Sequence, residues 1–98
     1  MKEFKYLTKK DSENICQASC DLESGNYLIR ERTEEQLRSI NELLNAIHLV
    51  SKGNADDRLK EIVEWHKACS DFYYARDNGY LDENDHFIEI KWKEELKM

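Results

Sequence analysis

Two groups of residues in this sequence have types and spacings that could support chemistry, and the first group combines three cysteines with a histidine. Cys16 and Cys20 are four residues apart in ICQASC, and His66 and Cys69 are three apart in EWHKACS. On helices both spacings place two ligands on one face, so the four side chains could form a zinc site that clamps two helices. The zinc-stabilised regulatory domain is therefore one interpretation of the chain.

The competing interpretation is that these residues pack in the core. Structural zinc ligands commonly lie in turns or knuckles, and Cys16 and Cys20 are predicted to point away from the inward stripe of their helix. His66 is then expected to be a buried neutral imidazole bonded to a tyrosine hydroxyl or a backbone carbonyl, with Cys69 acting as a small apolar residue. We favour this interpretation, and we expect no metal and no cofactor.

Catalysis by these residues is not expected either. A Cys–His nucleophile needs an orienting acid and donors for an oxyanion, and the chain has no glycine-rich loop that would supply them. The segment DENDHFIE is acidic enough to suggest calcium, but an EF-hand counted from Asp82 would place Phe87 at the glycine position and Lys93 at the glutamate position. The sequence therefore predicts a protein that is not an enzyme and has no EF-hand.

The second group is an acidic and aromatic stretch near the end of the sequence. Residues 77–90 contain no Lys or Arg, and seven of the ten aromatic residues lie between positions 65 and 92. Carboxylates that steer association, together with aromatic rings that add contact area, are typical of an interface that docks on a basic surface. The predicted contact residues are Tyr74, Asp77, Tyr80, Asp82, Glu83, Asp85 and Phe87. The alternative is a solvated loop whose aromatic rings turn inward.

Composition limits the possible functions further. The 98 residues carry a net charge of −6, which disfavours direct binding to nucleic acid or to an anionic membrane. The length predicts a single domain, 1–98. No apolar run is long enough to span a membrane, no signal peptide is evident, and an odd number of cysteines indicates free thiols, so a cytoplasmic protein is expected.

Three helical segments must position these residues. The first is predicted at 12–23 with Asp11 or Ser12 as its cap. The second, 33–52, begins with the capping box TEEQ, in which Thr33 caps and Gln36 reaches back. The third, 55–78, follows so closely, with Asn54 as its cap, that the two long helices should form an antiparallel hairpin.

The predicted fold class is mainly α, with short strands from FKYL at 4–7 and FIEIKW at 87–92 possibly pairing at the ends of the chain. The expected core comprises Leu37, Ile40, Leu44, Ile47, Leu59, Ile62, Val63, His66, Cys69 and Tyr73. A monomer is expected, or a homodimer if Trp65 and Phe72 remain exposed.

In size, acidity and tyrosine content the chain resembles the broad class of small phage- or plasmid-encoded inhibitors and immunity proteins. The likeness is one of composition, and the fifteen Lys and Arg residues fit a protein-blocking inhibitor better than a DNA mimic. The resemblance implies a cytoplasmic anti-defence or immunity role. We therefore expect an inhibitor or modulator of a basic, nucleic-acid-handling enzyme.

Overall fold

A computed structural model describes residues 2–25 and 31–94 of the chain. Within these residues the elements are β1 (Lys2–Glu3), α1 (Lys9–Ser24), α2 (Glu34–Ser51), α3 (Asp57–Ser70), α4 (Phe72–Asp77) and β2 (Ile90–Lys91). Each of α1, α2 and α3 packs against the other two. The prediction of a mainly α fold with a small β component is confirmed. No helix in the described part of the chain is long and apolar enough to cross a membrane.

The first helix begins three residues earlier than predicted. Its cap is Thr8, whose hydroxyl accepts the Asp11 N–H at 3.1 Å while the Asp11 carboxylate accepts the Thr8 N–H at 3.1 Å. This reciprocal pair is a capping box, so Asp11 lies inside the helix and neither it nor Ser12 is the cap. Gly25 ends the helix with φ +70, a left-handed conformation that glycine adopts without a steric cost.

The second helix begins as predicted. Thr33 accepts the Gln36 N–H at 3.1 Å, and the Gln36 side chain accepts the Thr33 N–H at 3.0 Å. Four apolar or small residues of one narrow face, Ile40, Leu43, Ala46 and Ile47, contribute to the core. The local sequence signal at this helix was therefore sufficient to place its start.

The predicted third helix is in fact two helices. Asp56, rather than Asn54, caps α3 by accepting the Leu59 N–H at 2.9 Å. The chain is then extended at Asp71 (φ −132, ψ 105), whose carboxylate accepts the Tyr74 N–H at 3.2 Å and starts α4. Aspartate competes with the helical hydrogen bonds through its own side chain, which accounts for the break at this residue.

Ion pairs between helices give the order of the bundle. A buried pair joins the end of α1 to the start of α2, with Arg32 Nε 3.0 Å from Asp21 Oδ2. Arg58 at the start of α3 contacts Asp11 of α1 at 3.4 Å and Glu42 of α2 at 2.7 Å. The chain therefore runs up α1, down α2 and up α3, so α2 and α3 form the predicted antiparallel hairpin.

The two ends of the described chain pair beside this bundle. The strands are parallel, with Lys2 opposite Ile90, and are shorter than the segments 4–7 and 87–92 that the sequence indicated. Phe4 follows β1 directly and stacks on Trp92 with ring centroids 4.8 Å apart. Trp65 of α3 meets the Trp92 ring edge-on at 4.9 Å. The termini thus close an aromatic cluster over α3.

Part of the predicted core is wrong. Leu37, Leu44 and Tyr73 are 46%, 44% and 66% exposed, whereas Leu43, which the prediction omitted, is fully buried. Ile40, Ile62 and Val63 are buried as predicted, and Ile47, Leu59 and Cys69 pack against the core at partial exposure. His66 is likewise only partly buried. Because α1 and α3 cover only one side of α2, the flank that carries Leu37 and Leu44 faces water.

Candidate functional site

The acidic loop, residues 82–86, is a tight connection with an ordered backbone. Leu81 and Phe87 form an antiparallel bridge across its base. Asp82 Oδ1 accepts two backbone N–H groups, from Asn84 at 2.8 Å and His86 at 3.0 Å. These two donors, that of His86 first, hold the pKa of Asp82 below its ordinary value. The Asp82 carboxylate therefore shapes the loop as well as carrying charge.

The remaining acids of the loop face solvent. Glu83 and Asp85 are exposed, and Asp85 has φ +62, a left-handed conformation that aspartate and asparagine tolerate better than most residues. Phe87 follows at the base of the loop with 49% of its surface exposed, although its ring also lies 5.7 Å from that of Trp65. Two free carboxylates and a half-exposed aromatic ring thus occur on one short, ordered segment.

Tyr80 does not belong to this surface, contrary to the sequence-based prediction. Its ring is fully buried, and its hydroxyl donates a 2.5 Å hydrogen bond to Glu64 Oε1 of α3. Burial, and then this carboxylate, raise the pKa of Tyr80. Lys2 Nζ lies 4.6 Å from the centre of the ring and 3.6 Å from Glu64. Tyr80 therefore anchors the acidic loop to the bundle instead of contacting a partner.

The other two predicted contact residues lie on α4. Tyr74 is half-buried, with Lys67 Nζ 5.7 Å from its ring centre. Asp77 is exposed but lies 3.7 Å from Arg76, the residue immediately before the stretch that lacks basic side chains. The charge of Asp77 is thus partly compensated within the chain, which leaves the acidic loop as the stronger source of negative charge.

An exposed aromatic pair on α4 was not among the predicted contact residues. Phe72 is 47% exposed and lies edge-on to Tyr73 at 5.6 Å. The Arg76 guanidinium lies 5.2 Å from the Tyr73 ring centre and 5.7 Å from that of Phe72. Aromatic residues with arginine are enriched at binding hot spots. The sequence signal was available in FYYAR, but these residues were assigned to the core or to a dimer contact.

The dimer contact proposed from the sequence loses one of its two residues. Trp65 is only 8% exposed, and its indole N–H donates to the Ser12 carbonyl at 2.9 Å. Phe72 remains exposed, as that hypothesis required, but it lies on α4 and Trp65 on α3. The paired surface that the hypothesis needed is therefore not present.

The three cysteines meet where α1 packs on α3. Cys16 shares side-chain hydrogen bonds with Cys69 of α3 and with Cys20, one turn along α1. The prediction that both α1 cysteines point away from the packed face is therefore wrong for Cys16, which is partly buried, while Cys20 is exposed. The reason is that α1 contacts two helices, so its buried face is wider than a single stripe.

His66 lies beside these thiols, but its partner is neither a tyrosine hydroxyl nor a backbone carbonyl. Its Nδ1 is 2.7 Å from Ser19 Oγ, which donates its single hydrogen to the Ile15 carbonyl at 2.8 Å. The Ser19 oxygen is thus left to accept the Nδ1–H of His66. Burial lowers the pKa of His66, so the imidazole is neutral near pH 7 as predicted.

Neither a metal centre nor a known relative identifies the function. Within residues 2–25 and 31–94, no group of three or more His, Cys, Asp or Glu side chains is arranged to hold a metal ion. Comparisons of the chain with protein-family models, with curated proteins and with solved structures find no match.

Proposed function

We propose that this chain is a non-enzymatic protein that binds a basic partner protein through its acidic loop and Phe87, and so inhibits or modulates that partner. The observation that supports this proposal is the exposure of Glu83 and Asp85 beside a half-exposed aromatic ring. Such a combination provides electrostatic steering and apolar contact area at the same place.

The order of the acidic loop favours binding. Association has to compensate for the entropy lost when interface groups become fixed, and a loop that is already ordered loses less. Here the Asp82 carboxylate holds two backbone donors, and the Ile88 N–H donates to the Tyr80 carbonyl at 2.9 Å. The loop is therefore tied to a core residue on one side and to its own backbone on the other.

The chemistry of the loop suggests which class of partner it fits. Carboxylates displayed by a net-negative protein are attracted to surfaces rich in Lys and Arg, and enzymes that handle nucleic acids carry such surfaces where phosphates bind. The charge of −6 opposes direct binding to nucleic acid. We place this interaction in the cytoplasm, where the three free thiols would stay reduced.

The proposal can be tested by removing the charges of the loop without changing its shape. The double variant Glu83→Gln/Asp85→Asn keeps the Asp82 cap and places asparagine at the left-handed position. The matched control, Glu13→Gln/Glu23→Gln, removes two exposed carboxylates from α1. Each tagged protein is used for capture from a bacterial lysate, and the captured protein is purified and its binding measured at about 50 and 200 mM salt.

We expect the wild type and the α1 control to bind the same basic protein, and the loop variant to bind it at least about tenfold more weakly. The association rate should fall with salt for the wild type and change less for the loop variant. Equal binding by all three proteins, with no dependence on salt, would show that residues 82–87 are only a solvated loop. A variant Phe87→Ala then separates apolar contact from charge.

A further inference from the structure

The packing of α1 on α3 holds two thiols from distant parts of the sequence against each other. Two hydrogen bonds fix the alignment of these helices, from Trp65 Nε1 to the Ser12 carbonyl at 2.9 Å and between His66 Nδ1 and Ser19 Oγ at 2.7 Å. Cys16 lies between the two α1 residues of these bonds, and its thiol contacts that of Cys69. The thiol contact is therefore held by the helix packing itself.

We propose that Cys16 and Cys69 form a dithiol that a hydroperoxide oxidises to a disulfide joining α1 to α3. The site is independent of the acidic loop, because it is built on other elements. Neither thiol is fully buried, and exposed Cys20 is the neighbour of Cys16 on α1, so a molecule as small as hydrogen peroxide can approach. Both thiols are free in this structure.

The surroundings of the pair assign a different role to each thiol. The Cys69 side chain donates a hydrogen bond to Cys16 and lowers its pKa, which favours the thiolate at Cys16. The pKa of Cys69 is raised by that same bond and by its burial. Because the thiolate is the nucleophile, Cys16 attacks the peroxide and Cys69 remains a protonated thiol.

The reaction then proceeds in two steps. The Cys16 thiolate attacks one oxygen of hydrogen peroxide, the O–O bond breaks, and the leaving hydroxide takes up a proton to become water, giving a sulfenic acid at Cys16. The sulfur of Cys69 attacks the sulfenic sulfur, the S–O bond breaks, and the Cys69 proton leaves with the hydroxyl group as a second water. The two sulfurs supply the two electrons that the peroxide accepts.

Cys20 is a poor partner in this reaction. Residues four apart on a helix have Cβ atoms about 5–6 Å apart, whereas a disulfide needs roughly 3.5–4.5 Å. A Cys16–Cys20 bond would therefore require α1 to unwind. Burial and the charge on Cys16, with smaller contributions from Asp21 and Glu23, also raise the pKa of Cys20. Cys69 is thus the favoured resolving thiol.

The test is oxidation of the intact, reduced protein by hydrogen peroxide near pH 7. Remaining thiols are blocked with N-ethylmaleimide, and tryptic peptides are analysed by mass spectrometry without reduction. Cys16 and Cys20 share the tryptic peptide 11–30, and Cys69 lies in 68–76. The variants Cys16→Ser, Cys20→Ser and Cys69→Ser are compared, with circular dichroism confirming that each is folded.

We expect the wild type and Cys20→Ser to link peptide 11–30 to peptide 68–76 within one chain, and Cys16→Ser to do so at least about tenfold more slowly. In Cys69→Ser, which keeps a hydroxyl donor beside Cys16, dimedone should trap a sulfenic acid at Cys16 and not at Cys20. Equal linkage in Cys16→Ser, trapping at Cys20, or disulfides only between chains would each overturn the proposal.

Discussion

Substitution of two neighbouring leucines of α2 tests the packing of the bundle most directly. Leu43 is fully buried, whereas Leu44 is 44% exposed. The two residues are identical in type and differ by about 100° in direction around the helix axis. Leu43→Ala and Leu44→Ala thus remove the same atoms at nearly the same point of the sequence, and they differ only in the surroundings of the side chain.

The expected losses follow from these exposures. Leu43→Ala removes buried methyl groups and leaves a cavity, which lowers the free energy of unfolding by about 2–5 kcal/mol. Leu44 keeps almost half of its surface in water, so its truncation forfeits at most about 1 kcal/mol of burial, partly offset by the higher helix propensity of alanine. The sequence-based expectation of a core residue at Leu44 therefore moves to Leu43.

Urea unfolding followed by far-UV circular dichroism measures both losses. A chain of this size loses about 4–8 °C in melting temperature per kcal/mol, so Leu43→Ala should melt at least about 8 °C lower, and Leu44→Ala only a few degrees lower. The dependence of the unfolding free energy on urea should stay unchanged in both variants. An equal or larger loss in Leu44→Ala would show that α2 buries a different face and would refute the packing described above.

Two further predictions concern polar groups inside the bundle. The side chains of Asp21 and Arg32 are 4% and 2% exposed, so Asp21→Asn, which leaves a buried guanidinium without its counter-charge, should cost about 3–5 kcal/mol. In urea unfolding the double variant Asp21→Leu/Arg32→Met should lose less, and a larger loss in the double variant would contradict the argument. His66 has its pKa lowered by burial, so the folded chain takes up this proton less readily than the unfolded chain. Its stabilising effect is complete above the unfolded pKa of about 6.5 and declines as the pH falls below it. His66→Gln should therefore reduce the loss of stability between pH 7.5 and pH 5.5, and an unchanged pH dependence would count against burial of the neutral ring.

The sequence by itself determined the helical character of the chain and the start of α2. The capping box at Thr33 uses residues three apart, so its signal is local and does not depend on the rest of the fold. The same holds for the acidic loop, whose composition predicted an exposed, negatively charged segment. Where a signal was local but overlooked, as with Thr8 and Asp11, the predicted boundary moved by about one turn.

Only the tertiary structure decided which side of each element is buried. Helical periodicity gives the angle between two side chains, but it does not say which flank a neighbouring helix covers. Leu44 was therefore assigned to the core in place of Leu43, and Tyr80 was assigned to the surface although Glu64 and Phe4 enclose it.

The contact between Cys16 and Cys69 depends on tertiary structure to the greatest extent. The two residues belong to different helices, and their thiols meet because α1 and α3 run in the same direction and are aligned by Trp65 on Ser12 and His66 on Ser19. No pattern within either helix encodes that alignment, since it arises from how three amphipathic helices and two chain ends bury their apolar surface together.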